Sequence, residues 1–468
     1  MKKRWQLTFI VISFIFLSGF YYKAFIHWAI ENDFISNKNI QFVKIIDKDA
    51  FHYIQYTKQT LGSNQWLTSS HFLAKSDGKV ALALADHYLS LKQMKEAMLW
   101  YKQALQLGQS KAAQPIAQQW FLENLWPQSL SLAKQYNQYF WAQQLIVNIA
   151  LGQGNMSDLD LIKDTLAETS EGQELLKQLN LYQVINKDTV PVIPQNSSCL
   201  SIQLFATSLT DLYHSSQLIK QIKDTEVGNY FCFNTPQYIP IDILDCDHIG
   251  EQAIRCNEAI WDKYSANITT RYLGVLLPSG GANVHSGILY LDSNDSVDVF
   301  KHELLHLLGF IDEYALPIEH PFCQSMSQHP NAHNIAVVKE TYQGSRSYIR
   351  QQILTKIPWR HLIESTTPIL YKSERGWKVG TSEAFKNKVG LFPVDTCKNS
   401  QLISVKPLAV QTTLAYNELP LPQVYKDFLK NDSLKYLMPS YHYNVSEALK
   451  KEGNKISAQA WLNRAKNF

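Results

Sequence analysis

The first 198 residues contain no cysteine; all six lie between Cys199 and Cys397, and none forms a CxxC pair, which argues against a zinc-cysteine site. A surplus of one charge is lacking too. Forty-four basic and 41 acidic residues leave a formal net charge of +3, too little to neutralise a run of phosphates, so nucleic acid is excluded as an expected partner. Charged residues make up only 18% of the chain against 45% hydrophobic, which excludes disorder and allows sizeable cores. At 468 residues, two or three domains are expected.

Charge is also missing from the run Trp5 to Tyr22, which follows Lys2, Lys3 and Arg4. No small-x-small cleavage site follows it and no cysteine stands there to carry a lipid. Residues 1–23 therefore read as an uncleaved signal anchor, a transmembrane helix of about 18 residues and near the minimum for spanning. The three leading cations against the lone Lys23 predict a single-pass protein of the inner (cytoplasmic) membrane with its body in the periplasm or cell exterior. In such a compartment an even cysteine count predicts disulfides. Six cysteines allow many pairings, and nearness in sequence favours Cys199 with Cys232, Cys246 with Cys256, and Cys323 with Cys397.

Beyond a juxtamembrane stretch, 24–69, residues 70–190 are rich in Ala, Leu and Gln with helical periodicity throughout. ALALADHYLSLKQMKEAMLWYKQALQLG, 81–108, resembles a tetratricopeptide repeat: Leu84, Ala85 and Tyr88 match its first helix, and Ala97, Tyr101 and Ala104 its second. Small residues at Ala85, Ala97 and Ala104 let two antiparallel helices approach closely. Stretches 112–139 and 140–168 are further hairpin candidates, and VSEALKKEGNKISAQAWLNRA near the C-terminus looks like a degenerate copy. The expectation is a small helical array offering a surface to a protein partner, with an irregular helical domain as the alternative. KDTVPVIPQNSSC, 187–199, is a linker by composition. After it, short β-rich runs alternate with helical stretches, which predicts an α/β or α+β domain over 195–415, followed by a C-terminal helical segment, 416–468.

The chemistry is concentrated in SNDSVDVFKHELLHLLGFIDEY. Asp295 or Ser296 can cap a helix whose apolar face is Val299, Phe300, Leu304, Leu307 and Leu308. On that helix His302 and His306 stand one turn apart and can reach one ion, with Glu303 beside them. Gly309 permits a left-handed exit, and Asp312 stands where HExxHxxGxxH/D sequences deliver a third ligand. Two nitrogens and one oxygen would leave a fourth position open.

The string H-E-x-x-H-x-x-x-x-x-D-E-Y resembles the immunoglobulin A peptidase-like family of metzincin-type zinc metallopeptidases. RYLGVLLPSGGANVHSGILYLDSND before the helix, and IPWR (357–360) and GLFPVDTC (390–397) after it, extend the resemblance over about 200 residues. It implies a zincin-type fold, Zn2+ as cofactor, His302, His306 and Asp312 as metal ligands and Glu303 as general base. No methionine stands near Cys397, where a metzincin floor is sought; Met438 in LMPSY is the downstream candidate. Tyr314, or a later tyrosine such as Tyr441, can donate to an oxyanion. Glu313 can orient a histidine or serve as a fallback third ligand. His285, a lone loop histidine, is left outside the site.

The resulting expectation is a multidomain protein: an N-terminal transmembrane helix, an all-α tetratricopeptide-like array and an α/β (α+β) zincin-type domain. It would be a membrane-anchored zinc metalloendopeptidase acting on a peptide or protein substrate. The rival reading is a repeat-based adaptor with a structural or inactive metal centre, against which the intact Glu303 argues, since a structural site has no need of it. A third is a zinc hydrolase acting on something other than peptide.

Overall fold

The computed structural model describes residues 43–45, 47–185, 199–247, 254–264, 268–316, 323, 332–397, 402–432 and 434–468. The Trp5–Tyr22 run lies outside them, as does almost all of the 187–199 linker. Among the described residues no helix is long and apolar enough to cross a membrane. The chain divides into two compact units, one of residues 1–149 and 157–173, the other of 150–156 and 174–468.

The first unit is a helical array. Its helices are α1 (Lys48–Lys58), α2 (Asn64–Leu73), α3 (Gly78–Ser90), α4 (Met94–Gln106), α5 (Ala113–Leu122), α6 (Trp126–Gln135), α7 (Phe140–Gln153), α8 (Ser157–Ala167) and α9 (Ser170–Leu181), with α7 and α9 crossing the boundary between units. Helix α1 falls within the stretch read as juxtamembrane, 24–69, and α2 begins in it and runs past its end. Asp47 and Ser63 cap them, accepting from the backbone N–H of Ala50 and Trp66. The α3–α4 hairpin packs through alanines: Ala81, Ala85, Ala97 and Ala104 are fully buried, which lets the two backbones approach. Tyr101 fills the gap and donates its hydroxyl to Asp86 at 2.6 Å.

The second unit is built on a six-stranded sheet. Strand β1 (Leu200–Ala206) is followed by α10 (Leu209–Lys223), β2 (Phe231–Phe233) and β3 (Gln237–Tyr238). A small hairpin, β4 (Cys246–Asp247) and β5 (Arg255–Cys256), precedes β6 (Tyr272–Leu277), β7 (Asn283–His285) and β8 (Ile288–Asp292). The order is β2-β1-β6-β8-β7, with β3 also pairing β1; all pairs are parallel except β7, the antiparallel edge strand. Beyond β8 runs α11 (Val297–Leu307).

Two small antiparallel sheets follow. In one, β9 (Ala336–Lys339) pairs with a much later strand; in the other, β10 (Thr341–Tyr342) joins β11 (Leu370–Ser373) and β12 (Gly376–Val379), with α12 (Arg346–Leu354) between them in sequence. The partners of β9 are β13 (Phe392–Val394) and β14 (Leu402–Lys406), in the order β13-β14-β9. Helix α13 (Gln423–Asp432) and the hairpin α14 (Tyr441–Lys451) and α15 (Lys455–Ala465) end the chain. That hairpin belongs to the second unit's core: Tyr441, Val445, Leu449 and Trp461 are buried with Phe205, Leu273, Val275, Ile288 and Tyr290 of the sheet.

Disulfides join Cys199 to Cys232, Cys246 to Cys256 and Cys323 to Cys397, the three pairs expected from nearness in sequence. The last lies in a small core with Ala332, Ile335 and Val337.

Candidate metal centre

Helix α11 is the base of the site. Ser296 is its N-cap and accepts from Val299 N–H, while Asp295, the other candidate cap, accepts from Asp292 N–H instead. Phe300, Leu304, Leu305, Leu307 and Leu308 are buried, so the apolar surface wraps farther round the helix than one face. The helix has to stop at Gly309. Its φ of +86° is the left-handed conformation, and a Cβ there would meet the Tyr436 carbonyl oxygen at 2.2 Å. The chain then turns back and brings Asp312 onto the histidines.

His302 Nε2 lies 3.0 Å from Asp312 Oδ1, and His306 Nε2 lies 3.3 Å from the same oxygen. All three candidate ligand atoms are within 4.8 Å of one another. Donors about 2.0–2.1 Å from a tetrahedral ion stand about 3.3 Å apart, so the spacing fits a shared metal. Each imidazole is held by its other nitrogen: His302 Nδ1 is 2.8 Å from the Thr413 carbonyl, and His306 Nδ1 is 3.1 Å from the Phe310 carbonyl. A carbonyl only accepts, so both Nδ1 atoms carry the proton, and in the neutral rings the Nε2 lone pairs are left for a metal. The group His302, His306 and Asp312 can hold a metal ion.

Electrostatics match that donor set. Burial works against charge on His306, but the Asp312 carboxylate outweighs it and holds the imidazole up to about 10. Burial would raise Asp312, yet the two imidazoles hold its carboxyl well below the usual range. Glu303 is only 6% exposed, and burial lifts its pKa above the usual carboxylate value. Its Oε2 is buried without a hydrogen-bond partner and lies 4.0 Å from His306 Nε2. A buried carboxylate oxygen with nothing to accept is costly unless a ligand or cation completes its surroundings.

Tyr314 stands on the same side of the chain as Asp312. The residue is 48% exposed; burial of its hydroxyl, then the nearby Asp312 charge, push the phenol above its ordinary pKa. Tyr441, the alternative donor, is excluded: it is fully buried in the core against α15 and donates to the Ile268 carbonyl. Glu313 is excluded as fallback ligand, because its oxygens are taken by Lys406 Nζ at 2.6 Å, the Tyr425 hydroxyl at 2.5 Å and Asn334 Nδ2 at 3.3 Å. His285 pairs across the sheet with Ile288, so it shares that residue's face, where it meets Glu258 at 2.6 Å and Asn444 of α14. It takes no part in the metal group.

Three contributors carried no signal in the motif. Thr413, 111 residues beyond His302, lies in a tight turn in which Ala415 and Tyr416 donate to Thr412. Thr396, buried beside Cys397, donates to the Asp312 carbonyl at 2.7 Å, with the Tyr314 carbonyl at 2.9 Å, and so braces the loop that carries both. Asn334 clamps the backbone just before Asp312, its amide bonding Ile311 N–H at 3.0 Å and Ile311 C=O at 2.8 Å. Met438, the downstream candidate for a floor, donates its backbone N–H to Leu307 at the end of α11. Compared with family models, with curated proteins and with solved structures, the chain matches none.

Proposed function

We propose that this chain is a zinc-dependent metallopeptidase, with His302, His306 and Asp312 as ligands, Glu303 as general base and Tyr314 as oxyanion donor. The observation that carries the reading is Glu303: a buried carboxylate with an orphan oxygen, on the same helix as two imidazoles whose free nitrogens converge on one aspartate. A purely structural zinc site fills its positions with protein ligands and needs no base. The sequence resemblance to immunoglobulin A peptidase-like enzymes agrees with this assignment.

Zinc bound there supplies Lewis acidity toward water and toward a scissile carbonyl. The raised pKa of Glu303 suits a base that takes a proton from the attacking water and returns it to the leaving amine. Tyr314, with its phenol pKa pushed up, stays protonated and can donate to the carbonyl oxygen as charge develops on it. The ring's exposure leaves it accessible to a substrate.

The charge-free Trp5–Tyr22 run and its leading cations support a membrane-anchored form with the body outside the cytoplasm, and three disulfides agree with an oxidising compartment. The helical array is the candidate surface for a protein partner or for presenting substrate. Metal analysis of the purified protein, joined to proteome-wide cleavage profiling against its Glu303→Ala form, tests the proposal. A zinc-loaded protein yielding the same cleavage products with and without Glu303 would contradict it.

A further inference from the structure

We propose that Lys406 is a positioning residue for the metal: its buried ion pair with Glu313 sets the loop that presents Asp312 and, through the same residue's backbone, the carbonyl that orients His302. The inference rests on the metal reading above. Asp312 and Glu313 are neighbours with the same ligand chemistry, yet they point apart. Asp312 Oδ1 faces the two imidazoles, whereas Glu313 Oε2 lies 2.6 Å from Lys406 Nζ with neither side chain more than 5% exposed.

Further hydrogen bonds hold the pair. Glu313 Oε1 also accepts from Tyr425 and Asn334, and Lys406 Nζ also donates to the Val410 carbonyl. Lys406 sits on β14, the central strand of its sheet, with β13 and β9 on either side, so the ammonium is anchored to a rigid element. From Glu313 two routes lead to the ligands. Asn334, which binds its carboxylate, also clamps Ile311, the residue before Asp312. The Glu313 N–H donates to Leu414 at 2.9 Å, next to Thr413, whose carbonyl holds His302.

An apolar pair of similar volume would serve stability as well or better, because burying two charges costs more than their attraction commonly returns. What the charges add here is direction. With its carboxylate committed to Lys406, Glu313 cannot compete with Asp312 for the ion, and the loop has one register. Partners of metal ligands typically contribute about 10–100-fold in metal affinity.

The test uses the full chain with Lys406→Met, and the double variant Glu313→Gln/Lys406→Met, which leaves no unpaired buried charge and decides the matter if the single variant does not fold. Zinc affinity is measured by chelator competition and the ligand field by the visible spectrum of the Co2+-substituted protein, with circular dichroism as a check on folding. The expected result is zinc affinity weakened about 10–100-fold and altered Co2+ bands in the folded variants. Wild-type affinity and an unchanged Co2+ spectrum, with only thermal stability lowered, would overturn the inference and leave the metal site standing. A wild-type protein that took up neither Zn2+ nor Co2+ would instead overturn the metal reading itself, and this inference with it.

Discussion

The Nε2 atom of His302 and the Oδ1 atom of Asp312 stand 3.0 Å apart although ten residues and a helix end separate them. The contact requires Gly309, since any other residue there would carry a Cβ into the Tyr436 backbone. It also places His306 3.3 Å from the same oxygen, so one aspartate closes the group. The purified protein should therefore carry about one zinc per chain, by analogy with other two-nitrogen, one-oxygen centres. His302→Ala and His306→Ala should each lose most of it by elemental analysis, and Asp312→Asn should weaken it. Full retention in both histidine variants would contradict the assignment.

The pH dependence has a definite sign. In chelator-treated protein His306 is held up to about 10 from an ordinary 6.5, so its contribution to stability is fully present below 6.5 and is lost as pH rises through about 10. Asp312 is depressed from an ordinary 3.8, so its share is fully present above 3.8 and is lost as pH falls through the depressed value. Metal-free protein should lose stability from neutral pH toward pH 10. Metal needs the Nε2 lone pair, so zinc binding near neutrality should release a proton from His306 and tighten as pH rises. Calorimetry in two buffers of different ionisation enthalpy measures that proton; no dependence on buffer would refute it.

All six cysteines are paired, so protein unfolded without reductant should leave a thiol-reactive probe with nothing to label. The Cys323–Cys397 link closes a loop of separation 74, for which chain entropy predicts about 4 kcal/mol of stabilisation. Cys323→Ser/Cys397→Ser should lower the denaturant midpoint accordingly, and an unchanged midpoint would show the link to be idle.

Tyr314 should separate chemistry from binding. Loss of one oxyanion donor typically costs about 10²–10³ in kcat. Tyr314→Phe should show that loss with wild-type zinc content, and unimpaired turnover would assign the ring to packing alone.

Much of this centre is legible in the sequence because its residues are local: His302, Glu303, His306, Gly309 and Asp312 fall within 11 residues, and helix geometry alone brings the histidines together. The disulfide pairing was legible for a similar reason, each cysteine bonding its neighbour in the sequence order. Long-range partners leave no periodic trace. Thr413 and Lys406 reach the site across 111 and 93 residues, so nothing near the motif announces them, and without Lys406 the sequence leaves Glu313 open as a fallback ligand behind Asp312. The strand order β2-β1-β6-β8-β7 is hidden in the same way, since near-continuous buried runs mark strands but not their neighbours. Nothing in the sequence rules Tyr441 out as a donor, and only the packing of α14 and α15 shows it to be core.

In the proposed mechanism Glu303 handles the proton and does not hold the metal. Its substitution by glutamine keeps size and hydrogen-bonding capacity and removes basicity, so the decisive measurement is the cleavage rate of Glu303→Gln beside its zinc content. Zinc should stay at the wild-type level while the rate falls by about 10²–10⁴, the range for loss of a general base. A Glu303→Gln protein that cleaved as fast as wild type, or that lost its zinc, would contradict the account.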